Sequence, residues 1–229
     1  MSDLLCLGTI ALAGLTQATL QLSFGGLILL YHSSMGRHRR QRTRRITTAY
    51  MLGVTVISFL CVGAFAYLIL KYLGGALSTE MLVICVGVFL ATALVMWLLY
   101  FRKGKNTELW LPRSFTRFIA RRARETSDRI EAFSLGLLSA FAEMPMSVAI
   151  FFVVANSIQK LSASLQVPAV CGYILIVCLP MIALKFTIKN GESALEIQKL
   201  RIRNKAFAKI ISGGFYAILA LFIVAFWVM

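Results

Sequence analysis

Six long apolar runs constrain this chain more than any motif does. They fall at about residues 5–31, 47–70, 81–101, 132–157, 167–184 and 206–229, and each is long enough for a helix to cross a hydrocarbon core of roughly 30 Å. Together they use up most of the 229 residues, so what remains cannot build a separate soluble domain. Only 14% of the residues are charged, against about a quarter in soluble domains. The expected fold is an all-α polytopic membrane protein with six transmembrane helices, and any function has to come from the spans and their short loops.

The formal net charge of +15 would suggest nucleic acid if read alone, so its distribution decides. Of 24 Lys and Arg, 22 lie in three segments: the first loop (Arg37 to Arg45), residues 102–129 and residues 185–209. Only Lys71 and Lys160 fall on the other side. This is a strong positive-inside pattern, which puts the three basic loops in the cytoplasm and both termini outside a cytoplasmic (inner) membrane. The expected partners of the basic loops are anionic lipid headgroups; no recognisable nucleic-acid motif accompanies the charge. After Pro112, the apolar residues Phe115, Phe118 and Ile119 at helical spacing among arginines suit a basic amphipathic helix on the inner leaflet. The N-terminus Met1-Ser2-Asp3-Leu4 has no positive region ahead of its apolar run, which reads as an uncleaved first span.

The spans group into two sets of three. In one register Gly14-Leu15-Thr16-Gln17-Ala18-Thr19-Leu20-Gln21-Leu22-Ser23 lies on Gly136-Leu137-Leu138-Ser139-Ala140-Phe141-Ala142-Glu143-Met144-Pro145, placing Gln21 on Glu143. The third and sixth spans share a G-x-F-x-A pattern beginning at Gly87 and Gly213. With an external N-terminus, spans one and four run in opposite directions, so residues 1–103 and 131–229 would be inverted three-helix repeats joined by a cytoplasmic basic linker over 104–130. Inverted repeats of this kind build secondary transporters with a site near the midplane.

Of nine acidic residues, eight fall in loops or at span ends and Glu143 does not. It lies about twelve residues past Glu131, or about 18 Å at the helical rise, near the bilayer midplane. An ionisable group there is costly and usually faces a cavity or bundle interior where ions or substrates are handled. Low-dielectric surroundings disfavour its charged form, which makes Glu143 a candidate proton carrier. Pro145, two residues on, removes a backbone donor and clashes with the Phe141 carbonyl, so a helix break beside Glu143 is expected; Pro180 offers a second break. Thr16, Gln17, Gln21 and Ser23 form the matching polar cluster of span one, as candidate binding residues or as interhelical hydrogen-bonding groups.

Other chemistry finds little support. The five cysteines lie in or at the edges of apolar spans without C-x-x-C or metal-ligand spacing, which reads as small apolar filler. His32 and His38 sit in the first basic loop, and no P-loop, G-x-S-x-G or H-E-x-x-H motif is present. Neither enzyme activity, a cofactor nor a metal site is expected.

Six spans in two halves, with Gly14-Leu15 to Ser23 and Gly136-Leu137-Leu138-Ser139 to Pro145 opening each half, resemble the LysE-type transporter superfamily. Its members include small amino-acid and metal-ion exporters and the CcdA branch, which carries electrons through cysteines placed after a similar G-L-L-S stretch. Gln21 and Glu143 stand near those places here, and neither motif holds a cysteine. The resemblance implies a polytopic carrier of small solutes, often an exporter driven by the proton gradient; the polar residues about Glu143 point to a cationic or zwitterionic substrate. A membrane scaffold or accessory subunit, and an electron carrier, are the rival readings; a second copy of the chain is a further partner the spans allow.

Overall fold

A span in hydrocarbon must satisfy its backbone internally, and the helix does this within one segment. The computed structural model describes residues 3–20, 27, 28, 30, 40–98, 121, 122, 126, 128–189 and 205–228. Among them the architecture is all helical. In chain order the helices are α1 (Asp3–Leu20), α2 (Arg40–Tyr72), α3 (Thr79–Leu98), α4 (Arg129–Ala142), α5 (Met144–Gln159), α6 (Ala163–Lys189) and α7 (Lys205–Ile223), which ends in a π-helical turn over Val224–Val228.

Four stretches are long and apolar enough to cross a membrane: Arg44–Tyr72, Thr79–Leu98, Ala163–Phe186 and Ile210–Val228. The expected span over 132–157 is two helices, α4 and α5, bent by 78° at Glu143, and the pair together makes a fifth candidate. Of the expected first span over 5–31, α1 covers the residues to Leu20, and beyond it Leu27, Ile28 and Leu30 are helical. The apolar stretch Asp3–Thr19 is shorter than the others, so the described residues hold four or five candidate spans. The basic amphipathic segment falls almost wholly outside the described residues; of it Arg121 and Arg122 are helical and exposed.

The helices alternate in direction along the bundle. At one end the Leu77 N–H donates to Asn156 Oδ1 at 2.9 Å and Gln159 Nε2 donates to the Ala66 carbonyl at 2.5 Å. These bonds put the α2–α3 connection beside the end of α5. The same end holds the start of α1, where Ser162 Oγ donates to Asp3 Oδ2, and the last turn of α7, where Trp227 Nε1 donates to Thr9 Oγ1 and Lys160 Nζ lies 4.6 Å from the Trp227 ring. Lys71 sits against Tyr67 and Tyr72 there as well. Aromatic rings with snorkelling lysines are typical of a membrane–water interface. At the opposite end Lys185 Nζ donates to Thr48 Oγ1, joining α6 to the start of α2.

α5 is the core helix. It packs on α1, α2, α3 and α6, and nearly its whole circumference is buried, from Ser147 to Ile158. Phe65 of α2 stacks on Phe151 and meets Phe152 edge-on. The outer faces carry Leu60, Leu70, Leu98, Leu175 and Leu221 exposed, an apolar surface suited to lipid.

α4 is held against α2 at a backbone crossing. A Cβ on Gly136 would fall far inside contact distance of the Tyr50 carbonyl oxygen, and one on Gly53 would meet the Phe133 carbonyl. Only glycine permits this approach, as in other membrane helix pairs. At Gly63 and Gly87, by contrast, an added methyl would meet nothing within 4 Å. Gly136→Val is therefore expected to lower stability by about 1–3 kcal/mol or more through overpacking, measured by denaturant or thermal unfolding in detergent, while Gly63→Ala leaves it unchanged or raises it slightly.

Candidate functional site

The bend between α4 and α5 comes from diverted hydrogen bonds. Glu143 is at once the last cap of α4 and the first of α5, with ordinary helical dihedrals of φ −78° and ψ −14°. Its N–H donates to the Ala140 carbonyl at 3.1 Å, with a share to Phe141, in place of Ser139 four residues back. The Met146 N–H turns to the Glu143 carbonyl three residues back, at 3.1 Å, alongside the ordinary four-residue bond of the Ser147 N–H at 3.2 Å. Pro145 has no N–H to offer Phe141. The Ser139 and Ala142 carbonyls thus lose the donors that a continuous helix would supply.

The Glu143 side chain is buried, only 7% exposed, and does not cap α5. Four residues to either side stand Ser139 and Ser147, each 1% exposed. All three are buried, Ser139 on α4 and Ser147 on α5 to either side of the bend, whereas Phe141 and Pro145 are exposed. Most hydroxyls in these helices are satisfied by the carbonyl four residues back, as in Ser58, Ser134, Ser157 and Thr55. Ser139 Oγ and Ser147 Oγ have no hydrogen-bond partner among the described residues. A buried hydroxyl left this way carries a cost of about 1–3 kcal/mol.

A chain of buried polar side chains leads from α1 to this break. The Tyr173 hydroxyl on α6 donates to Gln17 Oε1 on α1. Tyr216 on α7 lies near both Tyr173 and Glu143. Tyr216 also directs its hydroxyl at the Met146 carbonyl, at 3.5 Å. Both tyrosines are fully buried. Thr16, fully buried too, donates to the Leu12 carbonyl at 2.8 Å and lies 3.5 Å from that of Phe215 on α7, so its proton is spent within α1.

Of the residues singled out from sequence, Glu143, Gln17 and Thr16 thus share one buried region. Gln21 and Ser23 lie outside the described residues. Pro145 stands in the first turn of α5, its ordinary position at a helix start. Pro180 makes no break: α6 is helical from Ala163 to Lys189 through both Pro168 and Pro180. In a membrane helix the carbonyl freed by proline can be satisfied by neighbours, so proline alone does not end it. Sequence reading missed Tyr173, Tyr216 and Ser147; the spacing of Ser139 and Ser147 about Glu143 was the available signal. Among the described residues, no group of three or more His, Cys, Asp or Glu could hold a metal.

No family model matches the chain, and neither a curated protein nor a solved structure is significantly similar to it.

The Gln17–Tyr173 pair makes a prediction about stability. Tyr173→Phe strands the buried Gln17 amide and is expected to cost about 1–3 kcal/mol. Adding Gln17→Leu removes the stranded group and should recover part of that loss, a coupling that a double-mutant cycle in detergent measures.

Proposed function

We propose that the protein is an integral membrane carrier of a small solute or ion, acting as an ion-coupled, in the simplest case proton-coupled, exporter of a cationic or zwitterionic substrate. Glu143 meets the positive charge, whether of the substrate or of the coupling ion. The observation that carries this reading is a buried carboxylate placed where a helix is broken in the middle of the bundle. Such a group is expensive to keep, and a packing role would be filled more cheaply by an apolar residue. A carrier needs a site at which charge is bound and released, and broken helices supply it in many transporters.

The packing supports two related halves. α1 lies against α5, α2 against α6 and α3 against α7, so each helix of the first half touches its counterpart in the second. In this reading the chain has six spans in two inverted repeats, the first span being completed beyond Leu20. The end holding Asp3, Lys71 and Lys160 faces outward, and the basic segments face the cytoplasm and its anionic lipid. Similarity to the LysE-type superfamily is part of the same proposal.

The test is proton movement in proteoliposomes with a trapped pH dye, with lysine, arginine or putrescine added under an imposed pH gradient. The wild type is expected to accelerate proton flux with at least one of them. Glu143→Gln should reduce that flux by about tenfold or more, the scale of one lost charged hydrogen bond. Equal behaviour of empty, wild-type and Glu143→Gln liposomes would favour the accessory-scaffold reading instead.

A further inference from the structure

We infer that the break at Glu143 is a binding site for one small monovalent cation of the sodium class. This deepens the proposed function, on which it rests in taking the break as the working centre, by naming what Glu143 binds. The ligands are the Glu143 carboxylate, the hydroxyls of Ser139 and Ser147, and the carbonyls of Ser139 and Ala142.

Four features select this ligand. The first is the donor set: every group in it is an oxygen, the preference of hard cations. The second is charge. Glu143 is the one carboxylate at the break among the described residues, and no group of three acidic, His or Cys residues exists among them. One negative charge neutralises one positive charge, whereas a divalent ion would keep a net charge in a region of low dielectric, which is strongly unfavourable.

The third feature is the pair of serines. Ser139 Oγ and Ser147 Oγ belong to residues only 1% exposed and lack a partner among the described residues, although carbonyls four residues back satisfy comparable hydroxyls elsewhere. They flank Glu143 in sequence, four residues before and four after it, and all three are buried. Two hydroxyls withheld from the usual back-bond on both sides of one carboxylate have the arrangement of ligands. The fourth is the backbone. Glu143 N–H bonds Ala140 and Met146 N–H bonds Glu143, which leaves the Ser139 and Ala142 carbonyls at the negative end of α4, where a cation is favoured. Tyr216, whose hydroxyl points at the Met146 carbonyl beside the break, is fully buried, and close packing of this kind suits an ion of atomic size rather than an organic ammonium group.

The site can be read without knowing the transported solute. Thermal unfolding of the purified full chain in detergent would be followed in sodium, lithium or potassium chloride, against choline chloride at the same ionic strength. A saturable rise in Tm with at least one alkali ion is expected for the wild type. Ser139→Ala and Ser147→Ala remove hydroxyls that hold nothing else among the described residues, so both variants should fold and need about tenfold more of the ion for the same rise. Glu143→Gln should show none. Identical wild-type curves in choline and all three alkali salts would overturn the inference, as would an alkali response unchanged in all three variants. If proton flux in liposomes still depended on Glu143 in that event, the carrier reading would stand alone. An alkali response lost in Glu143→Gln, with no flux of any kind, would uphold the cation site and remove the carrier.

Discussion

In hydrocarbon, a backbone N–H or C=O that finds no partner inside the protein costs several kcal/mol, and most of this structure follows from that demand. It makes the described residues helical, and it makes any interruption of a helix a feature that the surrounding protein must shelter. The interruption at Glu143 is sheltered. α5, which starts there, packs on α1, α2, α3 and α6, and Ser139, Glu143 and Ser147 at the bend are all buried.

α2 is what allows α4 and α5 to be separate helices and still act as one element. Its apolar stretch, Arg44–Tyr72, runs past both. Near one end it holds α4 through the backbone crossing of Gly53 with Gly136. Near the other it holds α5 through Phe65 and through the Gln159 amide on the Ala66 carbonyl. A continuous helix splints a broken one, and the bend falls between the two points of attachment. Neither half could shift along α2 without pressing backbone on backbone at the glycines or losing a buried amide bond.

The long apolar runs were legible because hydropathy over about twenty residues is a strong signal that local detail does not disturb. The count of spans was less so. α1 opens like the other spans, but its apolar stretch Asp3–Thr19 holds Thr9, Thr16 and Gln17, polar groups that dilute the signal. Proline was an ambiguous guide: Pro145 lies in the first turn after a 78° bend while Pro180 lies in an unbroken helix, and what separates them is the diversion of neighbouring N–H groups, which composition does not encode. Glu143 stood out because a carboxylate in such a run has few explanations. Tyr173 and Tyr216 did not, since a single tyrosine in an apolar run reads equally well as an interfacial aromatic, and only the packing turns their hydroxyls inward.

The buried polar groups divide into two kinds, and the division bears on function. Gln17 with Tyr173, Trp227 with Thr9, and Asn156 with the Leu77 amide each join two elements distant in sequence, and pairs of this sort hold membrane helices together at modest energy. Their work is finished in the folded chain. Ser139 and Ser147 join nothing among the described residues, and an unpaired polar atom in a close-packed interior is disfavoured unless something compensates it. Both stand four residues from the buried Glu143 in sequence, on either side of the bend at which the backbone hydrogen bonds are diverted. Stability alone would place alanine at both positions, and two unpaired hydroxyls on either side of a buried carboxylate are intelligible if a positive charge comes to rest there.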